Sequence, residues 1–220
     1  MRLYVALCGF FIANWLIGDL TGGHYFDLFG DPLSVGMLPF PLTFVLTDVI
    51  HEFFGSRGAR LVTLVAAGLA LYVFLLLQIM IALPSSATMV VVPESVFDGA
   101  FGMSTRLLGS SLTAFLIGQF LDVKVFHFIR ERTGSKHIWL RANGSTAISQ
   151  LVDTFVINVA FLYGQQPMDA ILGVVFHSYL WKVAAALALT PLLYLLHAIV
   201  ARELEKEPYE PASRTTEELS

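Results

Sequence analysis

The chain has 220 residues, of which 56% are hydrophobic and only 14% charged, with a formal net charge of −4. Ordinary soluble domains carry about 25% charged residues, so the composition excludes a typical soluble domain and indicates a chain embedded in lipid. The mild charge gives no sign of a nucleic-acid partner, and a single cysteine, Cys8, excludes an intrachain disulfide and argues against a cysteine-based metal site.

Apolar runs place candidate spans near residues 3–20, 36–54, 61–83, 107–129, 146–164 and 171–199. Each reaches or nearly reaches the roughly 20 residues a helix needs to cross the hydrocarbon core. The expected fold is an all-α integral membrane protein of six transmembrane helices, forming one transmembrane domain over residues 1–200. The first run reads as a span rather than a cleaved signal peptide, because Asn14 and Asp19 interrupt it and no A-x-A-like site follows.

Near the outer end of the second run, "LPFPLTF" (38–44) either starts a helix at Pro39 and Pro41 or breaks one beside a cavity. About two thirds of the way along it lies Asp48. His51 and Glu52, near its inner end, are candidates for a proton or substrate path, against the plainer reading of polar groups facing the interface. The fourth run contains "IGQFLDVKVF" (117–126) and the fifth "ISQLVDTFVI" (148–157), two copies of Gln-x-x-Asp. The i, i+3 spacing puts Gln119 with Asp122, and Gln150 with Asp153, on common helix faces. "RANGST" (141–146) offers an Asn-Gly turn with Ser145 or Thr146 as the cap of the fifth helix. Lys182 lies about a third of the way into the last run, which is long enough to tilt, to project past the membrane or to bend at Pro191. Residues 201–220 are charged and have no apolar face, which predicts a disordered cytoplasmic tail.

Basic residues set the orientation. Arg2, Arg57, Arg60, Arg130, Arg132, Lys136, Arg141, Arg202, Lys206 and Arg214 fall at one side of the spans, and Arg106 at the other. That bias predicts cytoplasmic termini. Lys124 is read as snorkelling to the inner interface.

An Asp or Lys at a helix centre costs about 2.5–3.5 kcal/mol. Asp48, Asp122, Asp153 and Lys182 together would therefore cost on the order of 10 kcal/mol unless they face a polar interior. One structural ion pair, such as Lys182 with Asp153, would satisfy two of them. Three acids sharing one interior lysine favour a polar cavity instead. The chain has no H-E-x-x-H, no P-loop pattern and no G-x-S-x-G. Neither a metal nor a cofactor is expected, and a membrane enzyme is the least favoured class.

"FPLTFVLTDVIHEFFG" (40–55), "GQFLDVKVFHFIRERTGSKHIWLRANGSTAISQLVDT" (118–154) and "YLWKV" ahead of "TPLLY" (179–194) resemble the queuosine precursor transporter family, also called the vitamin uptake transporter family. The resemblance implies a six-helix inner-membrane importer of 7-cyano-7-deazaguanine or its aminomethyl form, for tRNA queuosine salvage. Its motifs fall on Thr47-Asp48, Gln119-x-x-Asp122, Ser145-Thr146, Asp153-Thr154 and Lys182; His51 departs from the polar residue more usual there.

A deazaguanine offers N1–H and an exocyclic amine to one carboxylate, Asp153 or Asp122. Gln150 and Gln119 can pair with its remaining groups, Lys182 can neutralise a spare carboxylate or donate to the nitrile, and Phe44, Tyr179 or Trp181 can stack on the ring. The expected mechanism is alternating access around a mid-bilayer site between spans two, four, five and six. The alternative is the binding subunit of an energy-coupling complex whose ATPases are separate chains.

Overall fold

The computed structural model describes residues 2–86, 88–89, 91–133 and 138–206, with several side chains inside these ranges, including those of 119, 122 and 138–147, left outside the description. The chain is helical almost throughout: α1 (Arg2–Thr21), α2 (Phe40–Ala82), α3 (Glu94–Thr133), α4 (Ile138–Leu162), α5 (Met168–Ala188) and α6 (Thr190–Lys206). Between α1 and α2 come two short strands, β1 (Tyr25–Leu28) and β2 (Asp31–Ser34), and a 3₁₀ turn at Val35–Met37. Arg2–Thr21, Val35–Gly55, Arg57–Ala82 and Glu94–Gly118 are long and apolar enough to cross a membrane, and Ile148–Leu162 and Pro191–Arg202 are shorter apolar helices. It is a helical, multi-pass membrane protein.

The 43 residues of α2 form two arms. At Gly55 the backbone takes φ 70°, ψ 178°, a region open essentially to glycine alone. The chain reverses there: Leu46 and Ala66, which a straight helix would hold about 30 Å apart, share one buried cluster with Leu7, Phe11, Val62 and Val200. The Tyr4 hydroxyl donates to the Gly58 carbonyl (2.9 Å) across that turn. Arg2, Arg57, Arg60 and Arg202 consequently collect at one end of the bundle, because the start of α1, the Gly55 turn and the end of α6 meet there.

At the opposite end, Arg106 of α3 donates to the carbonyls of Ala160 and Tyr163. It thereby satisfies acceptors that the end of α4 leaves open, a structural task for the one basic residue outside the positive bias. The last apolar run is not continuous. It breaks at Leu189, whose backbone leaves the helical region (φ −89°, ψ 1°), so α5 and α6 are separate helices and the break falls two residues before Pro191.

A short hairpin interrupts the otherwise helical chain. β1 and β2 pair antiparallel, Tyr25 opposite Ser34 and Leu28 opposite Asp31, around a two-residue turn with positive φ at Phe29 (56°) and Gly30 (95°). Such a turn is ordinarily announced by Asn-Gly or Asp-Gly, so Phe-Gly gave no warning. Ser34 ties the hairpin to α1: its hydroxyl donates to the Gly22 carbonyl (2.7 Å) and accepts from the Gly36 amide (3.1 Å). The approach is so close that a methyl group on Gly36 would lie 2.5 Å from the Gly18 carbonyl oxygen.

Denaturation of the detergent-solubilised protein can check where the fold requires glycine and where it does not. Gly55→Ala is expected to lower stability by about 1–3 kcal/mol, through its backbone conformation. Gly9→Ala, on α1 with open space around it, is expected to be neutral or slightly stabilising, since alanine is the better helix former.

Candidate functional site

The second half of α1, the 3₁₀ turn, the start of α2 and the facing sides of α4 and α5 border a small cavity of about 70 Å³ into which a few polar side chains project. By the space each water needs, this is room for on the order of five waters. Its lining includes Asn14, Trp15, Asp19, Phe40, Asn158 and Lys182.

Lys182 is the charge on which the site turns. Its side chain is 7% exposed; Nζ donates to Thr154 Oγ1 at 2.9 Å and to Asp153 Oδ2 at 3.3 Å, and lies 4.4 Å from the centre of the Phe40 ring. Carboxylate, hydroxyl and aromatic face each favour the ammonium. Thr154 in turn donates its hydroxyl to the Gln150 carbonyl (2.8 Å), so it is held as an acceptor for the lysine. One turn further on, Asn158 Nδ2 donates to the Thr154 carbonyl (2.7 Å).

Across the cavity, α1 presents a second polar group. Trp15 Nε1 donates to Asp19 Oδ2 at 3.0 Å, one turn along the same helix, and lies 3.4 Å from Ser111 Oγ on α3. Tyr25 of β1 lines both this cavity and a larger, mainly apolar outer cleft of about 460 Å³ that also includes Asp31, Gln166 and His177. Burial pushes the Tyr25 phenol up to about 12, so it remains protonated. His177 Nε2 on α5 meets Asp31 Oδ1 at 3.3 Å, joining the hairpin to that helix.

Of the residues expected from sequence, the structure unites Lys182 with Asp153, in the ion pair weighed as the plain structural alternative. Gln150 lies one turn before Thr154, outside the cavity lining, with its side-chain carbonyl oxygen buried and lacking a hydrogen-bond partner among the described residues. Asp48, His51 and Glu52 are exposed and do not line the cavity. Asp48 thus does not join the central layer in which its depth placed it. Phe44 packs edge-on against Phe40 at 4.8 Å, supporting the aromatic that lines the cavity rather than lining it itself. Tyr179 is half-buried away from the lining, and Trp181 borders a separate outer cleft of about 300 Å³. The side chains of Gln119, Asp122, Ser145 and Thr146 lie outside the described residues.

Sequence reasoning missed Asn14, Trp15, Asp19, Phe40 and Asn158. Asn14 and Asp19 were visible as interruptions of the first run. Treated by the same cost argument as the other intramembrane acids, Asp19 would have been found.

Residues 34–196 match the profile of a family described as "Putative vitamin uptake transporter". A Bacillus subtilis protein named "Probable queuosine precursor transporter" is 32% identical over 179 residues, covering 80% of this chain and 77% of its own length. A Haemophilus influenzae protein of the same name is 29% identical over 142 residues, covering 61% of this chain and 54% of that protein. No solved structure matches the chain.

Removing one partner of a buried pair strands the other charge, at a cost of about 3–5 kcal/mol. Lys182→Met is therefore expected to lower the thermal stability of the purified protein sharply, and the double variant Lys182→Met/Asp153→Asn to recover much of the loss. Equal destabilisation in the single and double variants would show that the pair is not what carries the effect.

Proposed function

The chain belongs to the vitamin uptake transporter family, and on that premise we propose that it imports queuosine precursors, the 7-deazaguanines carrying a cyano or aminomethyl group, for tRNA queuosine salvage. The observation that carries this reading is a small cavity lined by a buried lysine, formed between apolar helices of a chain similar to named queuosine precursor transporters. Intramembrane ionisable groups that face an interior mark substrate pathways. Five waters at about 30 Å³ each fill roughly 150 Å³, close to the bulk of one flat bicyclic base. Phe40, Tyr25 and Phe161 supply apolar ring faces in the same lining, and stacking on such faces is tolerant of the exact base.

In this reading the protein works as a six-span importer of the inner membrane with both termini cytoplasmic and its transmembrane domain over residues 1–200. α1, the two arms of α2, α3, α4 and the run formed by α5 and α6, with the gathering of basic residues at one end, support that topology. Cargo enters from the outer cleft, passes Tyr25 and the hairpin, and reaches Lys182. The lysine, held by Asp153 and Thr154, donates to the carbonyl or nitrile of the cargo. Gln150 belongs to the inner half of the route, and Asp48, His51 and Glu52 to its cytoplasmic mouth. Transport requires no bond to be made or broken, so the chain acts as a carrier and not as an enzyme.

A strain unable to make 7-deazaguanines is expected to accumulate them from the medium only when it expresses this chain, as measured by mass spectrometry of cell extracts. Lys182→Met/Asp153→Asn is expected to cut that uptake at least tenfold while leaving folded protein in the membrane. Uptake by the purified chain in liposomes supports a carrier sufficient by itself; dependence on added ATPase subunits points instead to the binding component of an energy-coupling complex.

A further inference from the structure

Two carboxylates stand near the cavity, and their situations differ. Asp153 is engaged by the Lys182 ammonium, and its side chain is absent from the cavity lining. Asp19 does line the cavity, and the donor that holds it, Trp15 Nε1, is neutral. A carboxylate has about four acceptor positions, so this contact leaves it the capacity for at least two more. Lys182 shares the same lining with its charge already matched by Asp153. The cavity therefore carries a cationic donor on its α5 side and an acceptor-only group on its α1 side.

We propose that Asp19 is a specificity-determining residue that reads the amino-bearing edge of the cargo. This rests on the transport reading above and deepens it. A 2-amino lactam ring presents an N–H and an exocyclic NH₂ side by side, two parallel donors that match the two oxygens of one carboxylate. Its ring carbonyl is an acceptor, complementary to Lys182, Asn158 or Ser178 in the same lining. Trp15 orients the carboxylate without neutralising it, and the Trp15 ring is itself fixed edge-on against Phe11 (centroids 5.9 Å apart). A site built this way rejects a heterocycle that lacks the amino group, because the carboxylate would then lose a donor in a medium that offers few replacements.

The test is equilibrium binding to the purified full chain in lipid nanodiscs, comparing 7-cyano-7-deazaguanine with its 2-desamino analogue. The unaltered protein is expected to bind the amino compound about 10- to 100-fold more tightly, as a good two-point contact discriminates. Asp19→Asn, which can still accept from Trp15 but turns an NH₂ toward the cargo, is expected to reduce that ratio to about threefold or less. Trp15→Phe removes a donor to Asp19 and keeps the carboxylate, so the preference should survive even if overall affinity falls; a structural role for Asp19 alone would not separate these two variants. Equal affinity of the unaltered protein for the two compounds overturns the proposal whether or not either variant folds, and so does a ratio unchanged by Asp19→Asn. If the unaltered protein binds neither deazapurine, the transport reading itself fails, and this inference with it.

Discussion

Lys182 Nζ lies 2.9 Å from Thr154 Oγ1 and 3.3 Å from Asp153 Oδ2 on a side chain that is 7% exposed, and that contact dictates how α4 and α5 face each other. A lysine near the centre of an apolar bundle is tolerable only when compensated, so both partners must come from the neighbouring helix at the correct height. Asp153 and Thr154 are sequence neighbours, about 100° apart around α4; together they bracket the ammonium from two directions. The hydroxyl of Thr154 is committed to the Gln150 carbonyl, which leaves its lone pairs for the lysine. Phe40 closes the remaining side with a ring face and brings the start of α2 into the same small volume.

The rest of the architecture keeps that volume enclosed yet accessible. α1 runs against both arms of α2, and its second half can approach the 3₁₀ turn closely because Gly18, Gly22 and Gly36 present no side chains there. Ser34 secures the hairpin against that junction. Tyr25, on β1, stands between the inner cavity and the outer cleft, so one aromatic side chain borders both compartments. The hairpin's attachment to α5 runs through His177 and Asp31, half-exposed groups whose pairing is inexpensive to break compared with a buried pair. The inner cavity is thus built on rigid helices, while the element over it is held by weaker contacts.

Particular residues show what could be read in advance. Lys182 and Asp153 were legible because apolar surroundings make each charge conspicuous and because their depths agree. Asp48 was equally conspicuous, yet it is exposed on α2, since depth along a helix does not determine which way a residue faces. Phe44, Tyr179 and Trp181 were named over Phe40 from a surplus of aromatics that composition alone cannot rank. Asp19 precedes the recognisable motifs, which begin at Phe40. The hairpin was illegible: Phe29 is not a residue that announces a left-handed turn.

From the sequence by itself came the membrane environment, the apolar runs, the segregation of basic residues and the presence of costly charges that had to be compensated. These follow from composition and one-dimensional periodicity, which lipid constrains strongly. Only the tertiary structure decided which acid meets the lysine, that α2 turns back at Gly55, that α5 and α6 part at Leu189, and that Asp19 rather than Asp48 borders the cavity. Those outcomes depend on helix rotation and on which surfaces meet, and no spacing rule along a single chain contains that information.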